Sequence, residues 1–173
     1  MDILFQLALI IVPSGGVMLT AIYFLKREQA NQKIQLHLEL KKQRQKFFLP
    51  SRVEAYQRCV LLMERIHPGN LIMRLHKPNI TSQMLQKQLL KTIREEFDHN
   101  VAEQIFISPK AWEMVKKSKE ESIKIINIAC DAVGKEEPST KMATKLFEII
   151  AELENMPTEI TTELLKKELQ ELF

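Results

Sequence analysis

Residues 3–25 carry no charged side chain, and the run ends against Lys26-Arg27. Written as a helix, this stretch rises roughly 34 Å at about 1.5 Å per residue, enough for a bilayer hydrocarbon core of about 30 Å. A secretory signal carries a basic N-terminal region, a shorter apolar stretch and a small-residue cleavage site. Here Asp2 is the only charge before the run, and no Ala-x-Ala-like site precedes the polar segment. The sequence therefore predicts a retained transmembrane anchor over residues 1–25, followed by a basic juxtamembrane stalk over 26–48 and a helical domain over 49–173.

Charge bias sets the expected orientation. Lys26, Arg27, Lys33, Lys41, Lys42, Arg44 and Lys46 stand against only Glu28 and Glu39 in the stalk, with Asp2 alone on the far side. Basic residues beside a span stay cytoplasmic. The expected placement is the inner (cytoplasmic) membrane, N-terminus outside and C-terminal domain in the cytoplasm. Within the span, Pro13 removes a backbone donor and Ser14-Gly15-Gly16 follows it, which predicts a kink. Gly16 and Thr20, four apart and close to Pro13 and Gly15, make a small-residue face on which another helix can pack.

The whole chain has a formal net charge of +3. The stalk carries more than all of that excess, so residues 48–173 are close to neutral and lack the basic surplus of a nucleic-acid binder. Cys59 and Cys130 form no Cys-x-x-Cys pattern and read as buried thiols in a reducing compartment. Only 4 glycines occur in 173 residues, and most of the 7 prolines fall between apolar-periodic runs. That composition favours an all-α body.

Along the stalk, Ile34, Leu36, Leu38 and Leu40 alternate with polar residues, the period of a strand, yet no hairpin signal supplies a partner. Helix is the reading preferred over residues 33–41, with two apolar stripes on opposite sides. Phe47-Phe48-Leu49-Pro50 is expected to close the stalk, and Ser51 with Glu54 has the spacing of a capping box that would open the next helix. His67-Pro68-Gly69 reads as its stop, and residues 71–75 are a short apolar piece of undecided type. Further helices are expected from Ser82, from Ser108-Pro109 to Gly134, from Pro138-Ser139, and from Thr158 with Glu163 and Lys167 paired four apart. The sum is a cytoplasmic bundle of about five helices.

The one pattern with catalytic spacing is Glu-x-x-His, present twice: Glu64 with His67, and Glu96 with His99. At i, i+3 on a helix both groups point the same way, and two such pairs help build carboxylate-bridged metal sites in bundles. A full set also needs a Glu from each of two further helices, and His67 falls at a helix end. His37 and His76 have no triad partner at a recognisable spacing, and no glycine-rich loop could cradle phosphate. No catalytic residue, cofactor, metal or small-molecule substrate follows from the motifs.

Leu49-Pro50-Ser51-Arg52-Val53-Glu54-Ala55-Tyr56-Gln57-Arg58, running on to His67-Pro68, forms one distinctive phrase. Glu96-Phe97-Asp98-His99-Asn100 and Ile107-Ser108-Pro109-Lys110-Ala111-Trp112 form two more. With these phrases the chain resembles a family of uncharacterised single-pass membrane proteins of the Bacteroidota. The resemblance implies an N-terminal span and a cytoplasmic helical domain, and it brings no activity or cofactor.

With no reactive site, architecture leads the functional expectation. It is a membrane-tethered interaction module, a scaffold or accessory subunit whose partners are the lipid bilayer and other membrane proteins or copies of itself. A regulator that transmits a state through a kinked span is the alternative, and a Glu-x-x-His metalloenzyme the third.

Overall fold

A computed structural model describes residues 2–172, with the side chains of 18, 20, 22–29 and 31–172. The chain divides into two compact units, Met1–Leu49 and Pro50–Phe173. Helix α1 covers Asp2–Ile66 without interruption, so Pro50 does not end it. A proline leaves the carbonyl four residues back without its usual donor. Pro50 and Lys46 are both exposed, where water satisfies such a group, and the strong helix formers on either side carry the helix across. Ser51 is therefore helical rather than a cap. Glu54, expected to reach back to the chain at Ser51, instead accepts from Arg58 Nη2 at 2.8 Å.

In the first unit, residues 33–41 are helical as preferred. Ile34, Leu36, Leu38, Leu40, Phe47 and Phe48 are all exposed, Phe47 by 78%. Among the described residues no helix is long and apolar enough to cross a membrane. The expected span falls mainly on 3–17, 19 and 21, whose side chains lie outside the described set, as do the side chain of Pro13, Gly15 and Gly16 and the kink expected there.

The second unit is all-helical and holds the buried apolar residues found among the described residues. After α1 come α2 (Pro68–Leu75), α3 (Ser82–His99), a 3₁₀ turn (Val101–Ile105), α4 (Pro109–Val133), α5 (Ser139–Glu152) and α6 (Pro157–Gln170). The expected count of about five is thus exceeded, because the supposed stop at His67-Pro68-Gly69 is also a start. The His67 imidazole accepts from Gly69 N and Pro68 takes the first helical position, where its missing N–H costs nothing. The undecided piece 71–75 is the body of α2, burying Leu71 and Ile72.

Local signals explain the other boundaries. Thr81 caps α3 through Met84 N, and Ser108 Oγ accepts from Ala111 N at 2.9 Å to start α4. Gly134 ends α4 at φ 102°, a backbone setting costly for any residue with a Cβ. On α6, Glu163 pairs with Lys166 at 3.1 Å rather than with Lys167.

One apolar face from each helix meets in the centre: Tyr56, Cys59, Met63 and Ile66 of α1, Leu71 of α2, Leu85, Leu89 and Ile93 of α3, Val115 and Ile126 of α4, Leu146 of α5 and Leu165 of α6. Each such side chain withdrawn from water contributes about 1.5–3 kcal/mol before ordering costs. Trp112, 8% exposed, belongs to this core. It stacks on Phe97 at 5.3 Å between ring centroids, with Lys119 Nζ 4.3 Å from the Phe97 centroid.

Two loops distant in sequence are tied by backbone. Thr81 and Pro138 form an antiparallel bridge, Ser82 N donates to Glu137 O at 2.7 Å, and Ser139 N donates to Ile80 O at 3.0 Å. Ser82 Oγ adds a bond to Glu137 O at 3.0 Å. Ser139 Oγ donates to Lys77 O at 3.0 Å, so it accepts from His76 Nε2 at 3.2 Å.

Candidate functional site

Helix α6 is locked to α4 at its first turn. Ser118 Oγ of α4 donates to Pro157 O at 2.8 Å and lies 2.7 Å from Thr161 Oγ1. The N-terminus of α6 is closed by its own Glu159, whose Oε2 accepts from Met156 N at 3.0 Å. These bonds hold Thr158, Glu159 and Thr162 toward the end of α1 and the start of α2.

There they line a cleft of about 200 Å³ together with Met63 and Glu64 of α1, His67 at the junction and Asn70 of α2. His67 Nδ1 accepts from Gly69 N at 3.2 Å, which places the proton of the neutral ring on Nε2. A Cβ at position 69 would stand 3.2 Å from the His67 ring, close enough that the ring would have to give by a few tenths of an ångström. Asn70 Nδ2 donates to the backbone oxygen of Glu64 at 2.9 Å and reaches its Oε2 at 3.5 Å.

Thr158 is the exception to this bonding. It is 2% exposed, and its Oγ1 has no hydrogen-bond partner among the described residues. An unmade buried hydrogen bond costs about 1–3 kcal/mol. The cleft has acceptor carboxylates from Glu64 and Glu159 and no Lys or Arg in its lining.

The two Glu-x-x-His pairs meet different fates. Glu64 and His67 share this cleft, but Glu96 is taken by two guanidinium groups, Arg65 at 3.0 Å and Arg74 at 3.7 Å, and His99 is exposed. Among the described residues, no group of three or more His, Cys, Asp or Glu side chains is arranged to hold a metal ion. The remaining candidates are dispersed: Lys26, Arg27, Lys33, Lys41, Lys42, Arg44 and Lys46 are exposed along α1, and so is Thr20.

Both cysteines are free and buried. Burial pushes the Cys59 thiol up to about 12, with the Glu103 charge adding to it. Burial also raises Cys130, with Asp131 adding and Lys135 opposing. Neither is a thiolate nucleophile at neutral pH.

Sequence reasoning missed Asn70, Thr158, Glu159 and Thr162. A Glu two residues after Pro157 is a helix-start signal that could have marked Glu159. Nothing local marks Thr158, whose burial depends on packing across the domain.

Fold and cleft together describe an all-helical protein with a small acid-lined recess. The chain belongs to a family of unknown function (DUF7935), whose sequence model matches residues 2–172. No curated protein and no solved structure matches it.

Proposed function

We propose that this chain is a membrane-tethered helical interaction module, an accessory or scaffold subunit of an inner-membrane assembly, with its N-terminus outside and residues 26–173 in the cytoplasm. The observation that carries the reading is the uncharged run 3–25 ending at Lys26-Arg27. Ile34, Leu36, Leu38, Leu40, Phe47 and Phe48 are exposed, and a partner that covered the stripes they form would withdraw apolar surface from water. The stated resemblance to single-pass membrane proteins of the Bacteroidota is part of the same reading. One observation favours a second role as regulator: α1 carries both the uncharged run and core residues such as Tyr56 and Cys59.

The test is alkaline carbonate extraction of native membranes, followed by affinity purification of the full chain in mild detergent with mass spectrometry. Retention in the pellet with reproducible membrane partners is the expected result. Release into the supernatant would remove the anchor, and a lone monomer that stayed in the pellet would shift the reading to the regulator.

A further inference from the structure

We propose that the junction between α1 and α2 is a proton-operated latch, closed while the His67 imidazole is neutral and opened when the ring takes up a proton. The direction of one hydrogen bond carries it. Gly69 N is a backbone donor and can only donate, so His67 Nδ1, 3.2 Å away, is the acceptor. The oxygen of Ser, Thr or Asn, the ordinary helix cap, stays an acceptor whatever the pH. An imidazole does not, and histidine is the side chain that ordinarily changes charge between about pH 5 and 8. On this ring the second proton can go only to Nδ1, because Nε2 already holds the first. Charged, His67 turns an N–H toward the N–H of Gly69, and the cap is lost.

Burial gives that loss its effect. Gly69 is buried, with the His67 ring and Phe147 of α5 within 3.2 and 3.7 Å of where a Cβ would stand. Among the described residues the imidazole is the one acceptor of its N–H. Water has no access to take over the bond while α2 keeps its place, and a buried donor without a partner is costly enough to displace the first turn. The titratable groups that line the cleft with His67 are Glu64 of α1 and Glu159 of α6. A charged ring is repelled by the positive end of α2, where its seat lies, and attracted by those carboxylates, which belong to other helices. Because α2 places Leu71 and Ile72 in the core, opening its first turn is felt there. This inference concerns the second unit alone and stands whether or not the chain is anchored in a membrane.

The test uses the full chain in mild detergent with 15N-glycine, 13C′-proline and 13Cε1-histidine. Glycine follows proline only at Pro68-Gly69, so the one 13C-coupled amide is that of Gly69. Among the signals of His37, His67, His76 and His99, that of His67 is the one missing from His67→Asn and from His67→Ser. Both variants keep an acceptor at the cap that does not titrate. As the pH falls from about 8 to 5, the expected result is a titration of His67 and a shift of the Gly69 amide with one common midpoint. Protection of that amide from solvent exchange, taken relative to the intrinsic rate at each pH, should fall about fivefold or more across the midpoint. In whichever of His67→Asn and His67→Ser melts as one cooperative unit, the Gly69 amide should keep its position and its protection through the same range.

Three results would overturn the proposal. One is a His67 that does not titrate in this range, and another is a His67 that titrates while the Gly69 amide neither shifts nor loses protection. The third is a Gly69 titration that persists in the folded variant, which would trace it to another group such as Glu64 or Glu159.

Discussion

Tyr56 is 1% exposed, and its hydroxyl donates to Glu168 Oε2 across 2.9 Å, joining α1 to α6. Burial, and then the Glu168 carboxylate, raise its pKa above the ordinary value. Tyr56→Phe leaves that carboxylate without its donor, and a loss of about 1–3 kcal/mol in urea denaturation is expected. Cys59 gives the pH counterpart. Its thiol ionises near 9.0 when ordinary and at about 12 when folded, so above the first value the folded chain keeps a proton that the unfolded chain releases. Stability therefore falls as pH rises through that window, by up to about 1.4 kcal/mol per pH unit from this group. Cys59→Ala should flatten the slope of unfolding free energy between pH 9 and pH 11, and an identical slope in both proteins would remove Cys59 as its source.

Helix boundaries show where sequence was sufficient and where it was not. Ser108-Pro109 was legible because the cap and the proline act within one turn, and Ser108→Ala is expected to cost about 1 kcal/mol in thermal or urea unfolding. Gly134→Ala should cost about 1–3 kcal/mol, since φ 102° is strained for alanine although the added Cβ meets nothing closer than 3.8 Å. Pro50 was misread as a break for the opposite reason. Its local penalty of roughly 3 kcal/mol is outweighed by the helix formers on both sides and, on the C-terminal side, by the core contacts of Ala55 to Ile66. Pro50→Ala should therefore slow amide exchange at 47–54 rather than leave it unchanged. The cleft was half legible: Glu64 and His67 stood out by spacing, whereas Thr158 and Glu159 reach them only through the long-range packing of α6.

At the scale of the whole chain, every hydrophobic-core residue among the described residues lies within 50–173. That segment, about 125 residues and large enough for its own core, should unfold alone in one cooperative transition. A broad non-cooperative melt would show that the first unit is needed. The backbone bridge between Thr81 and Pro138 reaches further than stability. Residues 82–137 depart from and return to the same spot, so the α3–α4 excursion is a closed circuit. A nick at its far turn, between Ile105 and Ser108, leaves each fragment with one half of that meeting point and a share of the common core. Fragments cut there are expected to reassociate when mixed, and co-elution in gel filtration with recovered helicity would check it; if they stay apart, the bridge and the shared core do not suffice to bring the halves together.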